Sequence, residues 1–284
     1  MLCASNLGMR WPLMPGLCLV CIVYVSLGQT PSPQAPKSSS EVSVSSAPPA
    51  PILAPPPGYK FPSGQTYVYA VEWHLFHAGT ATVGMDGDGG AHRVTATAES
   101  AGVVNTLYRV HDRFEASFDP RTFCSLTISK HSEEGPHTRE TSVTFDYAQK
   151  KTLLNEKNLK TGEVKHEQHD ISGCLTDVIT GFYYLASLPL QPGYQTRFPI
   201  NGGGKTTVAE ARVEAREEVK VPAGKFQTLR VRVEAISGAL EGKGSVVVWY
   251  TDDAYRIPVQ MRSKLGWGTL LFRLQKIVHD QGGN

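Results

Sequence analysis

The sequence predicts a mainly β fold: an antiparallel, strongly curved sheet or half-open barrel packed around one central helix at about 172–187. Three observations lead there. From residue 59 onward most of the chain alternates apolar and polar with period 2, the pattern of strands that cover one face and wet the other. A single stretch carries a stripe of period 3.6, at Leu175, Val178, Ile179, Phe182, Leu185 and Ala186. About ten to twelve strands cannot stay flat; they twist and curl, and their shared apolar side needs a cover. A two-sheet sandwich with the helix at one end is the alternative arrangement.

Residues 1–28 hold one charge, Arg10, then an apolar run from Trp11 to Leu27 and the small-residue site Ser26-Leu27-Gly28. That is the layout of a secretory signal peptide. A retained anchor is the rival, because the run approaches the roughly 20 residues a bilayer needs, although Pro12 and Pro15 interrupt its start. Neither Cys18 nor Cys21 completes a lipobox. Residues 29–58 are rich in Pro, Ser and Ala and read as a disordered linker, too poor in large apolar residues to bury a core. Residues 59–278 form a single β domain and 279–284 a tail.

With Arg10, Lys37 and Glu41 set aside from 28 basic and 26 acidic residues, 26 and 25 remain, with no basic block. The electrostatic attraction that drives nucleic-acid binding is missing, so no nucleic-acid partner is expected. Of five cysteines, Cys3, Cys18 and Cys21 leave with the signal peptide. Cys124 and Cys174 remain, either as a bridge enclosing about 50 residues and worth roughly 3–4 kcal/mol, or as two buried free thiols. Sequence does not give the Cα separation that would decide.

The strands follow in order. Tyr67, Tyr69, Val71, Trp73 and Leu75 share one face, and a turn at His77-Ala78-Gly79 leads into Thr80–Met85. After a Gly/Asp loop, Val94, Ala96 and Ala98 mark a third strand. The segment 101–108 is ambiguous. Phe114, Ala116 and Phe118 point inward until Asp119-Pro120. Leu126 and Ile128 pair with Val143, Phe145 and Tyr147, and a solvated hairpin turns at Thr161-Gly162. For the helix, Ser172 is a plausible N-cap and Pro189 with Pro192-Gly193 stops the run, giving a rod of roughly 24 Å. Beyond it, Ala209, Ala211, Val213 and Ala215 alternate with charges, Pro222-Ala223-Gly224 turns the chain, and Leu229, Val231 and Val233 return. Segments 245–250, 259–263 and 269–277 complete the set.

Candidate chemistry is sparse. Asn201-Gly202-Gly203-Gly204-Lys205-Thr206-Thr207 lacks the first glycine of a phosphate loop and precedes a strand instead of a helix, so it reads as a turn. His166-Glu167-Gln168-His169 spaces its histidines i, i+3, which on a strand puts them on opposite faces; no metal site is expected. Cys174 near a helix start lacks an identifiable base. Asp252-Asp253 with Arg256 fits a turn better than a carboxylate pair with a clamp. No catalytic residue and no cofactor is assigned. The aromatics Trp73, Tyr108, Phe182, Tyr183, Trp249 and Trp267 are the remaining lead: side chains of this size fill a core, or line an apolar pocket if the helix leaves one.

Several pieces together resemble the exported bacterial family catalogued as domain of unknown function 3108. They are Gly64-Gln65-Thr66-Tyr67 with Trp73 and Gly79, Leu107-Tyr108 with Asp112, and Asp170 ahead of Phe182-Tyr183-Tyr184-Leu185. The run continues through Pro222-Ala223-Gly224-Lys225-Phe226, Trp249-Tyr250-Thr251-Asp252-Asp253 and Arg256-Ile257-Pro258-Val259. The resemblance implies export to the periplasm or cell envelope of a bacterium, and no assigned activity. The sheet-plus-helix layout is also similar to periplasmic lipoprotein carriers that hold acyl chains in an incomplete barrel, an analogy of fold alone. Two functions stay open: a non-enzymatic carrier for an apolar small molecule such as a lipid or acyl chain, or a structural or interaction protein of the envelope with a filled core. Either would be peripheral to the membrane at most.

Overall fold

The computed structural model describes residues 51–279 except 75, 88–89, 239–240, 243 and 266–267. The signal-peptide reading, residues 29–50 of the linker and the end of the tail lie outside the described residues. The first run of elements is β1 (Gln65–Trp73), β2 (Phe76–Gly87), β3 (His92–Ser100), the short helix α1 (Gly102–Leu107), β4 (Val110–Phe118), β5 (Ser125–Glu134), β6 (His137–Asp146), β7 (Lys151–Asn158) and β8 (Val164–Asp170). The second is β9 (Thr176–Asp177), α2 (Thr180–Ser187), β10 (Gln195–Gly202), β11 (Lys205–Val221), β12 (Gly224–Gly238), β13 (Ser245–Thr251), β14 (Pro258–Leu265) and β15 (Gly268–His279).

All strands belong to one 15-stranded sheet, in the order β8-β7-β6-β5-β4-β3-β2-β1-β15-β14-β13-β12-β11-β10-β9. Each half is a meander, and the halves meet where β1 pairs antiparallel with β15, from Gln65↔His279 to Trp73↔Leu270. Among the described residues only β9 and β10 run parallel, through Ile200↔Thr176 and Asn201↔Asp177. The ladder does not close, since β8 and β9 are its free edges. Residues near those edges nonetheless touch: Thr152 Oγ1 of β7 donates to Gly204 O beside β11 at 2.5 Å, and Ser125 Oγ of β5 donates to Asp177 Oδ2 of β9 at 2.7 Å. Next to this contact Cys124 and Cys174 are joined by a disulfide with Cα atoms 5.1 Å apart.

Alternation decides the core. Tyr67 and Tyr69 of β1, Phe114 and Phe118 of β4, and Val231 of β12 fall on inward positions and are buried, each contributing roughly 1.5–3 kcal/mol. The linker's last residues also join the fold: Ile52 packs on the core and Leu53 N–H donates to Tyr184 Oη at 3.4 Å.

Several expectations need correction. The sheet has 15 strands, more than the ten to twelve read from the sequence, and it is one sheet, not a two-sheet sandwich. The helix spans Thr180–Ser187 alone, half the expected rod. Ser172 is exposed and caps nothing; Thr176 and Asp177 are extended because they pair with β10. The chain turns helical only where Asp177 Oδ1 accepts Ile179 N–H and Thr180 N–H, both at 2.9 Å, satisfying donors at the helix start. The first hairpin turns at His74 rather than at 77–79, with Trp73 facing Phe76. Gly79 lies inside β2, where a Cβ would sit 2.0 Å from Glu99 O of β3, so this glycine marks a close strand approach next to a register shift.

Candidate functional site

Helix α2 is buried along its length except at Phe182, which is half-buried. Two of its carbonyls are held by tyrosines from outside the helix. Tyr250 Oη of β13 donates to Phe182 O at 2.9 Å, and Tyr59 Oη donates to Tyr183 O at 3.3 Å. On one side the helix meets a filled aromatic cluster, in which Tyr184 lies 5.1 Å from Phe198 and 5.6 Å from Phe123, and Phe123 stacks on Phe118 at 5.8 Å.

The other side is not filled. A partly open cavity of about 60 Å³ lies between α2 and the sheet, lined by Tyr67, Tyr69, Tyr183, Tyr250, Met261 and Phe272, with Tyr255 and Arg256 also on its wall. A second cavity of about 80 Å³ is lined by Leu185, Phe198, Ile200, Ala209, Val233 and Leu265. Val178, Phe182, Val246 and Ser263 line both, so the Phe182 side chain borders the two spaces.

Apart from Arg256 and Ser263, the polar side chains of the first cavity are phenols. Tyr69 Oη donates to Pro258 O at 2.8 Å and Tyr67 Oη to Gln65 Oε1 at 3.4 Å, while the buried Tyr183 Oη has no hydrogen-bond partner among the described residues. Burial raises the pKa values of five tyrosines on the cavity wall: Tyr67 to about 12, and Tyr59, Tyr69, Tyr183 and Tyr250 further still. These groups are therefore neutral at any physiological pH, and act as hydrogen-bond donors without acid or base character. Arg256 brings no spare charge. Its Nη1 lies 3.0 Å from Asp252 Oδ1 and 3.2 Å from Thr251 O, and its Nη2 donates to Leu190 O at 3.4 Å. The Arg256 hydrogen bond, with Arg216 beside it, holds the Asp252 carboxyl below its usual range. Asp253 Oδ1 accepts Tyr255 N–H, Arg256 N–H and Thr251 Oγ1–H, so this acidic pair builds a turn.

Of the six aromatics singled out in the sequence, Phe182 and Tyr183 line the cavities. Trp73 ends β1 with its ring edge-on to His74 at 5.1 Å, and Tyr108 donates to Glu134 O at 3.1 Å; neither lines either of these two cavities. Trp249 falls on the opposite face of β13 from Tyr250. Its Nε1 donates to Glu217 Oε1 at 2.5 Å and Arg262 lies 5.0 Å over its ring. It is only 3 % exposed because the β11–β12 arm reaches back across β13 to β15, where Ala223 N–H donates to Leu274 O. Trp267 lies outside the described residues. Tyr59, Tyr250 and Phe272 were missed as cavity residues. The signal for Tyr250 was its parity with Val246 and Val248, which shows that Trp249 faces the other way.

The remaining motifs have local partners. Asn201 Oδ1 accepts Gly204 N–H at 3.0 Å in the tight β10–β11 turn, where Gly203 and Gly204 have positive φ. His169 lies 3.1 Å from Glu167 and His166 bonds Asn155. A second polar cluster, lining neither cavity, sets Lys130 Nζ 3.5 Å from Asp112 and 3.2 Å from Glu134. Burial, against the pull of Lys130, raises the Asp112 pKa to about 7. Among the described residues no group of three metal-binding side chains occurs, and no helix is long and apolar enough to cross a membrane.

The chain is similar in fold to a β-barrel-like protein of domain of unknown function DUF1849 from Brucella abortus, with a TM-score of 0.53 at 10 % identity, covering 76 % of this chain and 97 % of that one. A DUF1329 family protein from Desulfovibrio piger matches with a TM-score of 0.24 at 9 % identity, over 78 % of this chain and 88 % of that one, too slight to bear on the fold. No curated protein matches. The model of the family described as "Protein of unknown function (DUF3108)" matches residues 68–275.

Proposed function

This chain belongs to that family of unknown function, and from the space beside α2 we propose that it is a non-enzymatic carrier or binding module for an apolar ligand, a lipid or acyl chain. One observation carries the reading: two apolar cavities, of about 60 and 80 Å³, adjoin at the half-buried Phe182. Each is too small for a drug-sized ligand, which occupies roughly 300–1,000 Å³. A turn of the Phe182 ring would join them into one channel between α2 and the concave face of a half-open barrel. The helix would stay in place meanwhile, because its carbonyls at Phe182 and Tyr183 are held by Tyr250 and Tyr59.

We place the protein outside the cytoplasm, in the periplasm or cell envelope. The apolar run behind Arg10 supports export, and the Cys124–Cys174 bridge supports an oxidising compartment. Fluorescence of the uncharged dye N-phenylnaphthylamine tests the carrier reading. The wild type should enhance it, and Phe182→Ala, with the partition removed, should bind the dye several-fold tighter. Absence of enhancement with both proteins would overturn the reading. It would leave the second one, an envelope structural protein, which the small size of both cavities favours and which crosslinking to a partner would support.

A further inference from the structure

Six phenols line the first cavity; Tyr255 is largely exposed, and four of the other five are already engaged: Tyr59 on Tyr183 O, Tyr250 on Phe182 O, Tyr69 on Pro258 O and Tyr67 on Gln65 Oε1. The fifth, Tyr183, is 5 % exposed, and its hydroxyl meets no acceptor among the described residues. A buried O–H left without an acceptor is destabilising, and that cost is recovered by whatever brings an acceptor to it. The guanidinium on the cavity wall, Arg256, already donates to Asp252, Thr251 and Leu190, and it and Arg216, which share Asp252, are balanced by Asp252 and Asp253, so no net positive charge is left there to compensate a carboxylate.

We propose that the ligand is neutral: an apolar chain bearing one acceptor oxygen, an ester or ketone carbonyl, that takes the hydrogen bond of Tyr183 Oη while the chain passes Phe182 into the second cavity. The inference rests on the carrier reading and narrows it. It makes the site selective against free fatty acids, whose ionised head would be desolvated with only a neutral phenol opposite it.

The test is displacement of N-phenylnaphthylamine by three ligands of equal chain length: methyl laurate, dodecane and, at pH 8, laurate. Wild type should bind the ester roughly tenfold tighter than the hydrocarbon, equivalent to about 1.4 kcal/mol, with laurate weakest. Tyr183→Phe should bring the ester down to the level of dodecane and leave dodecane unchanged. Tyr67→Phe, whose hydroxyl is already satisfied, should keep the ester preference. Equal binding of ester and hydrocarbon by wild type, a preference for laurate, or an ester preference that survives Tyr183→Phe overturns this inference while the carrier reading stands. Failure of wild type to bind the dye or any of the three removes the carrier reading and this inference with it. The wild-type series decides even if a variant does not fold.

Discussion

We predict that replacing both Cys124 and Cys174 by alanine lowers stability by about 4 kcal/mol. The bridge closes a loop of 50 residues. In the chain-entropy treatment such a link removes −2.1 − 1.5R ln n from the unfolded ensemble, about 14 cal/mol/K, or about 4 kcal/mol at 25 °C. For a domain of this size each kcal/mol moves the melting temperature by about 2–4 °C, so a drop of about 8–16 °C is expected. The folded geometry should survive, because the same junction is held by Ser125 and Asp177, with Ser125 N–H donating to Leu175 O at 2.8 Å and Asp177 N–H to Ser125 Oγ at 2.8 Å. Equilibrium urea unfolding of oxidised wild type and the double variant measures the difference, and wild type unfolded with reductant provides a control that should match the variant. A variant within about 1 kcal/mol of oxidised wild type would refute the loop-entropy argument.

Asp177→Ala should cost about 3–4 kcal/mol, since Ile179 N–H, Thr180 N–H and Ser125 Oγ–H lose their buried acceptor. Asp177→Asn, which keeps one carbonyl oxygen, should cost clearly less in the same urea assay; equal losses would show that the acceptor is not what matters. Asp112 titrates near 7 when folded and near 4 when unfolded, so between these values the folded state holds the extra proton. Its contribution is complete below about pH 4 and is lost as pH rises through 7, with a ceiling of about 4 kcal/mol. Asp112→Asn should flatten that decline between pH 5.5 and 8, and a wild-type profile no steeper than the variant's would contradict it. Tyr183→Phe, unliganded, should be more stable by about 1 kcal/mol, because it removes an unpaired buried hydroxyl; a lower melting temperature would mean that the hydroxyl has a partner after all.

Most strands were legible because period-2 alternation survives wherever one face is wet. β3, β4, β7, β11 and β12 follow that pattern closely. The expected helix failed for the opposite reason. Leu175, Thr176, Asp177, Ile179 and Thr180 are all buried, so polarity there does not report a face, and the apolar positions matched a helical period by coincidence. β10 was hidden by Pro199, which argues against a central strand. That proline pairs with Val208 of β11, while β9 joins only from Ile200 on, past the residue that lacks an N–H. Within the site, Phe182 and Tyr183 were legible as aromatics on the helix. The tyrosines opposite them were not, because the sequence showed which strands carried aromatics but not which strands would lie under α2.

The β1–β15 seam has a consequence for how the protein is made. Glu72 and Arg273 meet at 3.1 Å across it although they are 201 residues apart, whereas nearly every other ladder joins strands adjacent along the chain. Each half can thus zip up hairpin by hairpin as it emerges, while the seam waits for the last strand and is the slow, non-local step. Until then β1 presents an uncovered row of amide and carbonyl groups, ready to pair with the same strand of a neighbouring molecule. The vulnerable species is the half-finished chain, and its hazard is self-association.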